Sequence, residues 1–270
     1  MTGVYREITF EIRDRVAVLT LNRPDIRNLI SHEPMIAEIE LACAEANRNP
    51  DVSVLVITGA GPAFSAGGNV KDMAERADMF GGTPAEVARG YRHGIQRIPL
   101  ALEAVEVPVI CAVNGPAIGA GCDLTLMCDL RIASEQARFG ETFVNLGIVP
   151  GDGGAYFLPR ALGAQKAAEM IFTGRLIDAA EALAAGLVLK VVPPDQLMQA
   201  TLELAAEIAS KPPHALRLAK LLYRQGFRAS SLRDFLDSCA AFQALCHHTA
   251  DHLEAVRALL ERRRGTYSGR

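Results

Sequence analysis

Runs of apolar positions, separated by short polar or glycine-containing breaks, divide the first part of the chain into predicted strands. Residues 8–21, ITFEIRDRVAVLTL, contain an alternating run, a polar break near Asp14 and a second, more apolar run. Alternation of apolar and polar positions is typical of a strand with one buried face. Two such runs around a tight break predict a β-hairpin.

The next apolar positions recur with helical spacing. They would form one face of a helix, and they are Ile36, Ile39, Cys43 and Ala46. We expect Ser31 to cap the beginning of this helix, because its hydroxyl can accept a hydrogen bond from an unpaired N–H group of the first turn. Asn49 and Pro50 are expected to end it.

A buried strand that leads into glycine or proline recurs along the chain. Residues 52–61, VSVLVITGAG, show this design first, residues 107–121, VPVICAVNGPAIGAG, repeat it, and residues 186–194, GLVLKVVPP, are a weaker version. Residues 71–94 are polar and are expected to be mobile. The recurrence of strand, turn and helix predicts stacked ββα units that form a spiral.

The strand pattern stops at Asp195. Beyond it, prolines separate a series of helical patterns, the last of which extends from Ala250 to Arg263. The chain is therefore predicted to be an α/β protein with a spiral core over residues 1–194 and a helical part over residues 195–270.

Composition and charge exclude several classes of protein. Half of the 270 residues are hydrophobic and 22% are charged, as in folded globular proteins. The 28 basic and 31 acidic residues create no positive field, so we expect neither nucleic acid nor a membrane as partner. Residues 1–15 contain no apolar segment, and no stretch is as long as a membrane helix, so export and insertion are not expected.

Cysteine and histidine positions indicate no special site. The six cysteines lie apart in apolar stretches without a C-x-x-C pair, which favours buried thiols in a reducing compartment, and we expect a cytoplasmic protein. His248 and His252 have the spacing of a zinc pair, but Thr249 follows His248 where an H-E-x-x-H motif has glutamate. We therefore expect no metal site.

Two stretches place small residues where a strand gives way to a helix. They are FSAGGNVKDM, residues 64–73, and PAIGAGCDL, residues 116–124. Backbone N–H groups at the beginning of a helix are unpaired. Two of them facing one pocket would form an oxyanion hole, whose donors lie about 2.7–3.1 Å from the oxygen that gains charge. Taken alone, each stretch is better explained by a tight turn and close packing.

Further segments extend the pattern over nearly the whole chain. They are FGETFVNLGIVPGDGGAYFLPR (139–160), EMIFTGRLIDAAEALAAGLVLKVV (169–192) and DHLEAVRALLERRRG (251–265). With the two earlier stretches, in this order, they resemble the enoyl-CoA hydratase/isomerase (crotonase) superfamily. The resemblance implies a crotonase-like spiral of ββα units with a C-terminal helical trimerisation region, in homotrimers or dimers of trimers.

The resemblance also implies a substrate and two backbone donors. The substrate is an acyl-CoA thioester, and because coenzyme A is part of it, no separate cofactor is expected. The N–H groups of Gly68 and Ala120 would hold the thioester oxygen as it becomes an enolate, aided by the dipole of the helix that begins there. Residues 1–194 would be the catalytic core that binds acyl-CoA, and residues 195–270 the oligomerisation region.

Acidic candidates follow by position. Family hydratases carry one glutamate where this chain has Asp123 and a second where it has Phe143. Hydration is most easily catalysed by two acid/base groups, so this departure predicts that hydration of crotonyl-CoA is weak or absent. Asp152 or Glu141 could supply the missing group, although Asp152 could equally cap a helix and Glu141 could be a solvated or network residue. Alternatively, Asp123 could have no catalytic role and simply interact with the dipole of its helix.

The resemblance assigns further residues to substrate binding: Arg27, Ala66, Lys71, Met73, Phe143 and Arg262. The larger apolar side chains would line an acyl pocket, although such side chains usually form core. The basic side chains would meet the nucleotide end of coenzyme A, with Arg262 acting across a subunit boundary; a solvated helix end is the alternative.

The predicted function is an acyl-CoA enzyme that stabilises an enolate, nominally an enoyl-CoA hydratase. An enoyl-CoA double-bond isomerase and a hydrolase that cleaves a C–C bond of a β-keto thioester are alternatives. A further alternative is a non-catalytic homologue that binds CoA or RNA, although the net charge of −3 disfavours RNA binding.

Overall fold

The chain folds around two β-sheets, and the computed structural model describes residues 5–269. The strands are β1 (Ile8–Arg13), β2 (Val16–Leu21), β3 (Val54–Gly59), β4 (Val109–Val113), β5 (Pro116–Ile118), β6 (Leu130–Ser134), β7 (Arg138–Gly140), β8 (Ile177–Asp178) and β9 (Lys190–Val192). The larger sheet has the order β1-β2-β3-β4-β6-β9, and the smaller has the order β5-β7-β8.

Helices connect and cover these strands. They are α1 (Glu33–Arg48), α2 (Val70–Glu75), α3 (Pro84–His93), α4 (Arg97–Glu103), α5 (Ala120–Leu126), α6 (Gly154–Leu162), α7 (Ala164–Thr173), α8 (Ala179–Ala184), α9 (Leu197–Ala209), α10 (Pro213–Gly226), α11 (Leu232–His247) and α12 (Ala250–Leu260). Among residues 5–269, no helix combines the length and apolar character that crossing a membrane requires.

Successive turns of the chain contribute strands to both sheets. The chain passes from β4 of the larger sheet to β5 of the smaller one before α5, and from β6 to β7 before α6. An isolated parallel bridge joins Ser65, which lies between β3 and α2, to Ala117 of β5. The turn after β3 therefore reaches the smaller sheet as well, and this repeated path is the predicted spiral of ββα units.

The central strands are buried on both faces. Along β3, Val54 and Val56 pack in one apolar cluster with residues of α9, whereas Leu55 and Ile57 belong to the larger cluster that includes residues of α1. A parallel strand covered on both sides forms a continuous apolar run instead of an alternating one. The helical part of the chain thus begins with a helix, α9, that completes the core.

The N-terminal elements agree with the predicted hairpin and helix. Strands β1 and β2 pair antiparallel, with Ile8 opposite Leu21 and Arg13 opposite Val16. All four predicted face positions of α1 are buried. The helix ends at Arg48, and Asn49 is its C-terminal cap, as expected.

The predicted cap of α1 was wrong. The N-cap residue is His32, and it forms no side-chain cap hydrogen bond. The Ser31 hydroxyl instead accepts a hydrogen bond from the Asn69 N–H group at 3.0 Å. Ser31 therefore fixes the turn that carries Gly68, because a tertiary donor competes successfully with the helix for the same hydroxyl.

Residues 71–94 contain more helix than their polar composition indicated. Asn69 caps α2, since its side chain accepts a hydrogen bond from the Lys71 N–H group. Thr83 and Glu86 form a capping box at the beginning of α3. Such reciprocal hydrogen bonds stabilise short helices whose apolar pattern is weak.

The described residues beyond 195 form helices only, as predicted. Helix α10 is attached to the core by Lys220, whose buried ammonium donates to the Val107 carbonyl at 2.6 Å and forms an ion pair with Asp129 at 2.8 Å. Helix α11 buries no side chain in the described chain, although it carries several apolar residues.

Candidate active site

The two glycine-containing turns lie against each other. The Ile118 N–H group donates to the Ser65 carbonyl at 3.0 Å. At Gly67, where φ is +78°, a Cβ atom would clash with the Ile118 carbonyl and lie 3.0 Å from the Ala120 nitrogen. Both the positive φ and this close approach require glycine. The chain thereby brings Gly68 next to the beginning of α5.

Both expected oxyanion donors have unpaired N–H groups. Within residues 5–269, no carbonyl or side chain accepts a hydrogen bond from the N–H group of Gly68 or Ala120, whereas neighbouring Asn69 donates to Ser31. Ala120 is the first residue of α5, where the geometry of a helix leaves N–H groups without partners. The arrangement can offer two donors to one substrate oxygen.

Three carboxyl groups form a buried cluster close to these donors. Asp123 lies in the first turn of α5, and its N–H group donates to the Gly119 carbonyl at 3.0 Å. Asp123 and Glu141 are fully buried, and Asp152 is 4% exposed. In the described part of the chain, both oxygens of Asp123 and Glu141 and Oδ1 of Asp152 have no hydrogen-bond partner. Because unpaired buried charge is unfavourable, such a cluster retains protons.

Gly154 makes room for two of these acids. A Cβ atom at this position would clash with both Asp123 Oδ1 and Glu141 Oε2. The two oxygens therefore both lie close to the same point of the α6 backbone. Two ionised carboxylates cannot hydrogen-bond each other, so the pair is stable only when it holds a proton.

Burial raises the pKa of each acid in this cluster. For Asp123, burial is the largest cause of the raised pKa and the charge of Glu141 is the next. Burial also raises the pKa of Glu141, although the nearby Asp123 and Cys122 side chains, which are potential donors, oppose the rise. Burial and then the charge of Glu141 raise the pKa of Asp152 to about 7. A group with this pKa can accept and release protons at neutral pH.

Two alternative interpretations of these acids were wrong. Asp152 does not cap a helix, since α6 begins at Gly154 after the N-cap residue Gly153, which makes no side-chain cap bond. Glu141 is not solvated, because its side chain is fully buried where β7 gives way to a short 3-10 helix, Thr142–Leu146.

Apolar side chains lie over the oxyanion turns. The Met73 methyl group is 2.8 Å, and the Phe80 ring 3.9 Å, from the position that a Cβ atom of Gly68 would occupy. The Phe143 ring is buried and lies 3.7 Å from the corresponding position at Gly119. Met73 and Phe143 therefore lie where an acyl group bound at the donors would contact them.

The basic candidates are exposed. Lys71 is in the first turn of α2. Arg27 has a φ of +53°, and its carbonyl accepts a hydrogen bond from the Ala66 N–H group at 2.9 Å. Arg262 follows the end of α12, and within residues 5–269 no ion pair links it to the rest of the candidate site. The structure thus brings together the donors, the acids and the apolar residues, but does not place Arg262 among them.

The sequence pattern did not reveal two residues of the site. Tyr91 of α3 lies 3.1 Å from the position of a Cβ atom at Gly151, and burial together with the charge of Asp152 raises the pKa of its phenol. The Cys122 thiol faces Glu141. Tyr91 lies in the polar stretch 71–94, so the glycines around Asp152 were the signal of a close approach.

His252 contacts His247 and not His248. His247 Nδ1, and not a nitrogen of His248, lies 3.0 Å from His252 Nε2. Among the described residues, no group of three or more His, Cys, Asp or Glu side chains is arranged to hold a metal ion.

Comparisons with known proteins cover almost the whole chain. The family model described as enoyl-CoA hydratase/isomerase matches residues 11–270. A crotonyl-CoA hydratase of Syntrophomonas wolfei is 38% identical over 97% of this chain and 98% of its own length. A probable enoyl-CoA hydratase of Mycobacterium tuberculosis is 37% identical over 98% of this chain and 99% of its own length.

Solved structures agree with the predicted fold. An enoyl-CoA hydratase from Bacillus anthracis superposes with a TM-score of 0.91 at 35% identity, covering 98% of this chain and all of that chain. A putative enoyl-CoA hydratase from Streptomyces coelicolor has a TM-score of 0.91 at 31% identity and covers this whole chain and 97% of its own. The crotonase-like fold is therefore confirmed, and the chain belongs to the enoyl-CoA hydratase/isomerase family.

Proposed function

We propose that the protein hydrates a 2-enoyl-CoA thioester. The observation that carries the proposal is the buried carboxyl cluster of Asp123, Glu141 and Asp152 beside the unpaired N–H groups of Gly68 and Ala120. The names of the curated relatives, crotonyl-CoA hydratase and enoyl-CoA hydratase, support the same reaction.

The reaction follows from the positions of these groups. The thioester oxygen accepts hydrogen bonds from the N–H groups of Gly68 and Ala120, which stabilise the enolate that forms when water attacks the β-carbon. Asp152, with a pKa of about 7, takes a proton from the attacking water. Asp123 gives a proton to the α-carbon, and a proton then passes from Asp152 to Asp123 to restore both acids.

A second candidate is double-bond isomerisation, and Phe143 favours it. Its apolar ring lies beside Gly119, close to the oxyanion turn, where the resemblance places the second glutamate of hydratases. An apolar ring there disfavours a bound water but not a proton that leaves one carbon and returns to another. Isomerisation would therefore use the same donors and Asp123 without a nucleophilic water.

A panel of thioesters distinguishes the two reactions. The purified protein is assayed with 2-enoyl-CoA, 3-enoyl-CoA and 3-ketoacyl-CoA substrates of increasing chain length. We expect hydration of 2-enoyl-CoA, with crotonyl-CoA slower by about 10²–10⁴ than in a hydratase with two glutamates. If only 3-enoyl-CoA were turned over, the protein would be a double-bond isomerase and not a hydratase. If only 3-ketoacyl-CoA were turned over, both candidate functions would be wrong.

Phe143→Glu tests the role of the missing acid within the same panel. The variant should hydrate crotonyl-CoA faster than the wild type, because it supplies a second acid/base group near Asp123. Phe143→Gln is the matched control, since it has a similar polar side chain that cannot exchange a proton. Equal rates in both variants would show that polarity or space, and not acid/base chemistry, limits the wild type.

We also propose that residues 195–270 assemble the chain into a homotrimer or a dimer of trimers. Several apolar side chains of this part are exposed in the single chain: Leu232, Leu236, Leu245, Leu253, Leu259 and Leu260. Exposed apolar surface of this kind supports contact with a further copy. Light scattering of the purified protein would test the proposal, and a monomer would contradict it.

A cytoplasmic location is part of the same proposal. All six cysteines are free thiols, and four of them are buried in the core. The presence of free cysteine thiols supports a location in a reducing compartment.

A further inference from the structure

The loop that carries Asp152, residues 149–153, has few hydrogen bonds of its own. Glycines flank the acid on both sides, and glycine leaves the backbone more conformational freedom than any other residue does. Within the described chain, residues 149–152 take part in one hydrogen bond, which the side-chain amide of Gln96 donates to the Gly151 carbonyl at 2.8 Å. The position of Asp152 therefore depends on contacts from outside the loop.

Gln96 is a fixed point from which this loop is held. It is the N-cap residue of α4, but its side chain makes no cap hydrogen bond with that helix. Its backbone N–H group donates to the Tyr91 carbonyl at 3.1 Å, and Ile95 and Ile98 beside it are buried in the larger apolar cluster. Because a carbonyl oxygen only accepts, the amide nitrogen of Gln96 must face Gly151.

Two aromatic rings pack against the same loop. The Tyr91 ring lies 3.1 Å from the position of a Cβ atom at Gly151, and the Phe157 ring lies 2.8 Å from that position at the glycine after Asp152. Apolar contacts of this kind limit the space of the loop, but they have no direction. A hydrogen bond needs a set distance and angle, so only the Gln96 amide fixes the orientation of the peptide unit before the acid.

We propose that Gln96 is a positioning residue that, through its bond to the Gly151 carbonyl, keeps the Asp152 carboxyl group within the buried cluster of acids. The inference rests on the proposed function, in which Asp152 takes a proton from the attacking water. Gln96 acts through the backbone of the loop and not by contact with the substrate. Loss of the bond would let the loop move, and a displacement of about 1 Å in a catalytic group can cost about 10²-fold in rate.

Gln96→Met tests this role in the kinetics. The variant has a side chain of similar length that cannot donate a hydrogen bond. We expect kcat to fall by about 10–10²-fold, because the base is misplaced, and KM to change little, because Gly68 and Ala120 lie on other turns. Gln96→Glu, in which an acceptor replaces the donor, should show the same loss. A change in KM alone, or no loss in either folded variant, would overturn the inference.

The position of Asp152 can also be measured without turnover. Burial raises the pKa of Asp152 to about 7 in the wild type. In protein labelled with ¹³C at the aspartate carboxyl carbon, the Asp152 resonance is the one that is absent from the spectrum of Asp152→Asn. In Gln96→Met its titration midpoint should fall by about one pH unit or more, because a mobile loop exposes the carboxyl group to water.

The titratable neighbours of Asp152 are the same in the wild type and in this variant. They are Asp123, Glu141 and Tyr91. A shift of the midpoint therefore reports movement of the loop and not a change of nearby charge. An unchanged midpoint in the folded variant would overturn the inference, whatever reaction the protein catalyses.

Asn47→Asp is the matched control. The Asn47 side-chain amide donates to the carbonyl of Ala104, the C-terminal cap of α4, at 2.8 Å. This variant therefore loses a hydrogen bond of the same kind and length outside the candidate site. It should leave kcat, KM and the titration of Asp152 unchanged.

Asp152→Asn separates this inference from the proposed function. If Asp152→Asn is as active as the wild type, the proposed function is wrong. If Asp152→Asn is inactive while folded Gln96→Met and Gln96→Glu are fully active, the inference alone is wrong. If neither Gln96 variant folds, Gln96→Asn takes their place and should show the same loss, because its shorter side chain keeps the amide but not its reach to the Gly151 carbonyl.

Discussion

At the scale of single residues, the three buried acids make the stability of the protein depend on pH. The ordinary pKa of Asp152 is 3.8, and in the folded protein it is about 7. The folded state therefore binds this proton more tightly than the unfolded state. The contribution is fully present below about pH 4 and is lost as pH rises through 7, by roughly 4 kcal/mol in all.

Asp152→Asn should therefore stabilise the protein at alkaline pH while abolishing turnover. Removal of the ionisable group should raise the free energy of unfolding at pH 8 by about 2–4 kcal/mol and change it little at pH 4. Urea unfolding at the two pH values measures the difference. The matched control is Asp51→Asn at an exposed position, which should not change the free energy of unfolding at either pH. If Asp152→Asn also left this free energy unchanged, burial would not be the cause of the raised pKa of Asp152.

The sequence alone located part of this site but could not describe its electrostatics. The position of Asp123 three residues after Ala120 follows from helical spacing, so its place beside the donor was predictable. The burial of Glu141 was not predictable, because it depends on how the folded chain packs around the junction of β7 and the 3-10 helix Thr142–Leu146. Asp152 lacks a capping hydrogen bond because Gly153, and not Asp152, is the N-cap residue of α6. The sequence alone does not show which of these two neighbours takes the N-cap position.

At the scale of secondary structure, the beginning of α5 supplies one donor of the oxyanion hole. Ala120→Pro deletes this N–H group at the first helical position, where proline is well tolerated. We expect a loss of about 10²–10³ in kcat with the fold retained, as checked by circular dichroism and steady-state kinetics.

Ala164→Pro is the matched control for this helix. Ala164 is likewise the first residue of a helix, α7, and likewise follows a glycine with positive φ. The control should keep its activity. A folded Ala120→Pro protein as active as Ala164→Pro would show that the Ala120 N–H group is not a donor.

Elements with strong periodicity were predictable, and elements held by local or tertiary hydrogen bonds were not. The hairpin, α1 and the buried β3 follow from apolar spacing. Helices α2 and α3 depend instead on caps at Asn69 and Thr83. Ser31 precedes α1 in the sequence, so its hydroxyl was a plausible cap for that helix. Only the folded chain shows that the Asn69 N–H group lies beside this hydroxyl and donates to it.

At the scale of the whole molecule, recognition of coenzyme A is expected to involve Arg262, which follows the end of α12. Arg262→Ala should raise the KM of CoA thioesters more than that of short pantetheine thioesters, because only CoA carries the 3′-phosphate and pyrophosphate charges. Values of kcat should change less.

A control separates loss of charge from loss of recognition. Arg13 is exposed and pairs only with its neighbour Asp14 among the described residues, so Arg13→Ala removes the same charge elsewhere. It should affect neither substrate class. Equal losses for both thioesters in Arg262→Ala would indicate an effect on folding or assembly.

The attachment of α10 couples the helical part of the chain to the central sheet. The Lys220 ammonium donates to the Val107 carbonyl just before β4, and its ion-pair partner Asp129 accepts from the Val109 N–H group. Undocking of α10 alone would leave the Asp129 carboxylate without its buried cation, a change that typically costs about 3–5 kcal/mol. The beginning of β4 and α10 should therefore open together as one cooperative unit, with amide protons that exchange at a common free energy, instead of α10 fraying independently like a surface helix.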